Sequence, residues 1–110
     1  MNEQRKYIRR YSATNIECYD ADKISYLDKC VMVNISKGGI ALESKKHFPL
    51  GEKVLVSLYT PENKEISFMT QILYSSQGGF ATLYGAKFYE TDLHRLSELN
   101  VYLLKYYNLY

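Results

Sequence analysis

A chain of 110 residues, 46% hydrophobic and 24% charged, has the size and make-up of one globular domain, which excludes an intrinsically disordered chain. Its 14 basic and 12 acidic side chains nearly cancel, which excludes a protein that coats polyanions indiscriminately. No apolar run approaches the ~18 residues of a membrane span, and the first ten residues have no apolar core of a signal peptide, so the expected location is cytoplasmic, without membrane insertion.

The charge is unevenly placed. Arg5, Lys6, Arg9 and Arg10 face only Glu3 in the first ten positions, a net +3; ten basic against eleven acidic residues leave the rest at −1. The bland reading of such an arm is a solubilising tail. Residues 1–10 are expected to form a flexible basic arm.

Past the arm, Tyr11 to Tyr19 reads as a first strand and Asp20 to Asp28 as a polar loop. Lys29 to Ile35 is a second strand, β-branched at Val31, Val33 and Ile35. Ser36-Lys37-Gly38-Gly39 is a tight turn, followed by a third strand, Ile40 to Glu43. Pro49 and Gly51 punctuate a loop. Lys53 to Tyr59 alternates as a fourth strand, and Thr60 to Lys64 is a hairpin turn. Glu65 to Tyr74 alternates as a fifth, with Ile66, Phe68, Thr70, Ile72 and Tyr74 on one face. Gln77-Gly78-Gly79 turns the chain into a sixth strand, Phe80 to Tyr89, where Gly85 marks a bulge or a close backbone approach.

The period then changes to that of a helix over 91–107, with Thr91 as N-cap. Leu93, Leu96, Leu99, Leu103 and Tyr107 make one face; Tyr102 lies on the other. Six short antiparallel strands over 11–89 and one C-terminal helix predict a small mainly-β barrel that closes its own edges. The twelve tyrosines suit a half-buried pleated surface.

Catalytic and metal patterns are missing from the sequence. Cys18 and Cys30 lack zinc-site spacing and read as reduced, half-buried strand thiols. His47 and His94 are far apart in polar contexts, and Ser36 has no nucleophile elbow around it. No enzyme, no metal site and no cofactor are expected.

Two patterns remain. Arg5-Lys6-Tyr7-Ile8-Arg9 is an R-x-x-x-R, two guanidiniums suited to phosphates and to the N7/O6 edge of guanine. Asn34-Ile35-Ser36-Lys37-Gly38-Gly39 is an N-x-S-x-x-G, which puts an amide and a hydroxyl at one strand parity beside permissive glycines. Each alone has a plain explanation: a basic tail, or a hairpin closed by an Asx or Ser turn.

Together, with Arg9 and Asn34 25 residues apart, they resemble the PilZ domain family. The resemblance extends over nearly the whole chain. Val33 to Ile40 looks like that family's signature hairpin and Tyr84-Gly85-Ala86-Lys87-Phe88 like its last barrel strand. The resemblance implies a six-stranded split barrel with a C-terminal helix that binds cyclic di-GMP without catalysis. It implies that Arg5 and Arg9 grip phosphates and guanine edges, that Asn34 and Ser36 hydrogen-bond a guanine, and that Gly39 permits the close turn. Arg10 is an added cation, and Tyr74 is either a stacking platform or a barrel-wall residue. Gln4 precedes the first Arg, a position tied in the family to how many ligand molecules bind.

In this reading the arm is ordered by ligand and signals through an unidentified protein partner. The runner-up is a divergent PilZ-like interaction module that does not bind the dinucleotide. A nucleic-acid-binding barrel would want a basic body, whereas this body carries −1, so neither DNA nor RNA is expected.

Overall fold

The computed structural model describes residues 9–22 and 25–109, with side chains from Thr14 onward. Six strands precede one helix: β1 (Arg9–Tyr19), β2 (Tyr26–Ser36), β3 (Gly39–Ser44), β4 (Lys53–Tyr59), β5 (Glu65–Gln77), β6 (Thr82–Phe88) and α1 (Leu93–Tyr107). All neighbours are antiparallel and the strands close a barrel in the order β1-β2-β3-β6-β5-β4. The closing seam is short: β1 meets β4 over three pairs, from Glu17 with Ser57 to Tyr19 with Leu55, at one end of β1.

β1 starts at Arg9, two residues inside the segment assigned to the basic arm. Its backbone pairs Arg9 with Ser36 and Arg10 with Ile35, so the ladder to β2 runs on past Tyr11. Partner strands of equal length explain this, because β2 also has eleven residues. Arg5 and Gln4 lie outside the described residues.

The barrel interior is filled by Ile16, Met32, Ile35, Ile40, Leu42, Val54, Val56, Phe68 and Ile72, none more than 1% exposed. Cys18 and Cys30 also point inward and are fully buried rather than half-buried. Tyr84 anchors the loop after β3: its hydroxyl donates to the Lys46 carbonyl at 2.9 Å and accepts from the Phe48 amide at 3.0 Å. Phe48 is thereby held against the Tyr84 ring, centroids 5.2 Å apart.

The helix begins one residue later than predicted. Asp92, in extended conformation, is the N-cap, and its carboxylate accepts from the amides of His94 and Arg95. Asn108 ends α1 in the left-handed region, with φ 54°. The amide of the buried Leu109 then returns to the Leu103 carbonyl at 3.0 Å.

The buried stripe of α1 is Leu99, Tyr102 and Leu103. Tyr102 therefore belongs to the inner face, not the outer one. Leu93 is 80% exposed, although the periodicity put it inside. The reason is placement: α1 packs on the barrel along β5 through Leu99, Tyr102 and Leu103, and its first turn carries no buried residue.

Candidate functional site

The N-x-S-x-x-G run sits where β2 turns into β3, on the outside of the barrel. Strict alternation would send Asn34 inward with Met32, two residues before it. A register shift between Met32 and Asn34 inserts Val33 as an extra residue. After it, Ile35 pairs with the inward Ile40, while Asn34 pairs with Ala41 on the outer side. Such a bulge re-aims side chains at the cost of one unpaired residue.

Ser36 follows Asn34 on the outer side and is nearly buried. Its hydroxyl oxygen accepts from the Gly38 amide at 3.2 Å and donates to the Gly39 carbonyl at 3.4 Å. In this structure, then, Ser36 makes the Ser turn that was the plain explanation of the motif. A hydroxyl has two lone pairs, so one acceptor site is left beyond the turn. The Gly38 carbonyl accepts from the Phe88 amide at 3.0 Å, which ties the turn to the end of β6.

Gly39 is required for a reason other than turn geometry. It pairs with Lys87, and a Cβ there would stand 2.2 Å from the Ala86 carbonyl oxygen and 2.9 Å from the Lys87 Cα. The close approach is of β3 to β6, backbone against backbone.

Tyr74 is re-aimed in the same way as Asn34. The alternation Ile66, Phe68, Thr70, Ile72 is buried as predicted, but a register shift inserts Leu73 before Tyr74. Tyr74 consequently leaves the inner face, is 46% exposed and pairs with Gly85. Its ring lies directly on that glycine: a Cβ on Gly85 would meet Tyr74 Cζ at 2.1 Å. Gly85 thus differs from the expectation: the bulge opposite it belongs to β5, and what approaches it closely is a side-chain ring, not backbone.

The two bulges bring their residues into one row. Tyr74 pairs with Gly85, Gly85 with Ala41, Ala41 with Asn34, and Asn34 with Tyr11 of β1. Three strand spacings separate Tyr74 from Asn34, about 14 Å along the surface. The residues between them, Gly85 and Ala41, are buried, the glycine under the Tyr74 ring, so the exposed parts of the row are that ring at one end and the half-buried Asn34 at the other.

One group was missed by sequence reasoning. Lys87 pairs with Gly39 on β3 and Gln71 on β5, and Gln71 pairs with Lys53 on β4. The two ammonium groups flank the Tyr89 ring, Lys53 at 4.2 Å and Lys87 at 5.8 Å from its centroid. This cationic row runs beside the Tyr74–Asn34 row. The strand register carried the only signal: Lys87 is two residues from Gly85 and so faces the same side.

His47 and His94 are exposed, as their polar contexts predicted. Among the described residues no cluster of His, Cys, Asp and Glu could hold a metal ion, and no helix is long and apolar enough to cross a membrane.

No curated protein sequence matches. In solved structures, the barrel is similar to the inhibitor of motility MotI/DgrA of Bacillus subtilis, with TM-score 0.69 and 17% identity over 94% of this chain and 51% of that one. The chain thus spans about half the length of MotI/DgrA. It is similar to the PilZ domain of YcgR from Escherichia coli, determined with c-di-GMP, with TM-score 0.66 and 14% identity over 89% and 87% of the two chains. It is also similar to the PilZ domain of CeSA from a cellulose-synthesizing bacterium, with TM-score 0.62 and 17% identity over 88% and 93%. At these identities the likeness is one of fold. The sequence itself matches the PilZ domain over residues 3–105, nearly its full length. The chain belongs to the PilZ domain family.

Proposed function

We propose that this domain is a non-enzymatic receptor for cyclic di-GMP, bound across the outer face between β2 and β5. The observation that carries the reading is the coincidence of two independent bulges, which turn Asn34 and Tyr74 outward on one row of the barrel. Membership of the PilZ family and a similar YcgR domain determined with c-di-GMP support the ligand class.

The chemistry of the surface suits that ligand. Two guanines need planar donor–acceptor edges and flat surfaces, and two phosphates need cations. Asn34 offers an amide to a guanine edge, and Ser36 shapes the turn and keeps one acceptor site. The Tyr74 ring, backed by Gly85, is a surface for base stacking. β1 brings the Arg9 backbone into register with Ser36, so the R-x-x-x-R continues directly from the strand beside the motif. In this reading Arg5 and Arg9 close over the ligand, with Arg10 adjacent, and binding orders the N-terminal arm. The arm and ligand together then form a new surface for a protein partner.

Calorimetric titration of the folded protein with cyclic di-GMP tests the reading. Saturable heat, with new amide protection over residues 4–8, ahead of β1, is the expected result. Absence of heat from folded protein sinks it in favour of an interaction module that works without the dinucleotide. Arg9→Ala is expected to weaken binding roughly tenfold to a hundredfold, the loss of one charge-assisted contact of about 1.5–3 kcal/mol.

A further inference from the structure

At the other end of the β1–β2 ladder, away from the motif surface, two thiols lie face to face inside the barrel. Cys18 Sγ and Cys30 Sγ are 3.1 Å apart, and both residues are at most 2% exposed. They are not directly opposed: Cys18 pairs with Asp28, and Cys30 with Ile16. They are diagonal neighbours, which in a flat sheet stand too far apart for their side chains to bond. A register shift immediately follows Cys18, and a bulge of this kind increases local twist. The twist draws one diagonal together, and that diagonal carries both cysteines. A disulfide has a sulfur–sulfur bond of about 2.05 Å, so the sulfurs need to close by only about 1 Å.

We propose that Cys18 and Cys30 are a redox modification site: a two-electron oxidant of the peroxide or small-disulfide class converts them to a cross-strand disulfide that pins β1 to β2. With a peroxide, one sulfur of the pair attacks one peroxide oxygen, giving a sulfenic acid and releasing water. The second sulfur then attacks the sulfenic sulfur, and the hydroxyl leaves with the second thiol's proton as another water. Each sulfur gives up one electron overall, and the peroxide takes up two.

Each thiol acts on the other more than anything else around the pair does. Hydrogen bonding from Cys18 draws the Cys30 thiol below its ordinary range against the opposing effect of burial, and Ser44 acts in the same direction. Cys18 is pushed up, first by its bond to Cys30 and then by burial. Either sulfur can attack first and the other resolve, because either thiol can donate across the 3.1 Å contact. Burial makes the reaction slow, because the oxidant meets the sulfurs only when this end of the barrel opens. The equilibrium is what the fold favours: native packing holds the thiols together, whereas the unfolded chain must close a twelve-residue separation to do so.

The test is equilibration in a glutathione thiol–disulfide buffer, from both the reduced and the oxidised protein, with and without denaturant. Trapped species are counted by alkylation and intact mass. The expected result is a monomer two hydrogens lighter, with Cys18 and Cys30 in one linked peptide, favoured at least tenfold more under native conditions than in denaturant. The oxidised form should melt roughly 5–15 °C higher, and dithiothreitol should reverse the change. An intramolecular disulfide no more stable in the native protein than in denaturant overturns the proposal, as does a higher yield of mixed disulfides with glutathione than of the internal bond. Cys18→Ser should abolish the loss of two hydrogens. The proposal does not depend on the ligand, since Cys18 lies nine residues from Arg9 along β1, Cys30 lies six from Ser36 along β2, and both point into the barrel.

Discussion

The β4–β5 wall and the walls built on β2 and β5–β6 are made by the same rules and turn out differently. β4 and β5 pair without interruption from Lys53 with Gln71 to Tyr59 with Glu65. Every inward position there is apolar or, at Thr70, satisfied: its hydroxyl donates to the Val54 carbonyl at 2.8 Å. The β2–β3 and β5–β6 ladders each lose one step, at Val33 and at Leu73. Each lost step turns a residue of the inward parity to the outside. A regular ladder thus makes core, and a single extra residue converts a core position into a surface one without changing the side chain.

The sharpest break of that comparison is Phe68→Ala in the regular wall, where the ring is fully buried and edge-on to Phe88 at 5.4 Å. It should cost about 3–5 kcal/mol in denaturant unfolding, with the affinity of the remaining folded protein for cyclic di-GMP unchanged. Gly39→Ala comes next. Its Cβ meets backbone that cannot yield locally, so a loss of about 1–3 kcal/mol is expected, together with weaker binding if β3 shifts the turn.

On the bulged walls the effects should fall on binding instead. Asn34→Ala should weaken cyclic di-GMP binding about tenfold, with the melting temperature within a few degrees of the parent. Tyr74→Ala should cost roughly fivefold, about 1 kcal/mol of stacking, and Gly85→Ala should do the same by lifting the ring from its seat. If Gly85→Ala leaves affinity untouched while Tyr74→Ala does not, the ring matters and its seat does not.

The smallest effect at neutral pH belongs to the helix. Burial, reinforced by its hydrogen bond to Tyr107, pushes the Tyr102 phenol up from 10.0. The folded state keeps that proton where the unfolded state loses it. The stability this contributes is present below pH 10 and is lost as pH rises above the unfolded value. The slope is at most about 1.4 kcal/mol per pH unit. Tyr102→Phe should flatten that alkaline slope in a stability–pH profile.

Local chemistry made much of this protein legible in advance. β-branched runs, turn residues and the change from a two-residue to a 3.6-residue period place six strands and a helix, because each signal depends on neighbours in the chain. The paired motifs likewise announce themselves by residue type and spacing. The direction in which Asn34 and Tyr74 point was not legible, since it depends on the partner strand having one residue fewer, and nothing in β2 or β5 alone records that count. The same holds for Gly39 and Gly85, which look like turn and bulge glycines but answer to Ala86 and to the Tyr74 ring across the sheet. It holds for Tyr102, which is buried because β5 lies under the second half of the helix. It holds finally for Cys18 and Cys30, twelve residues apart in the chain and side by side only through the twist of the ladder. Residue type and neighbours along the chain set which segments form strands and turns and where the two paired motifs fall; register, twist and closure of the barrel set which residues face water and which face each other, because those are properties of pairs of strands.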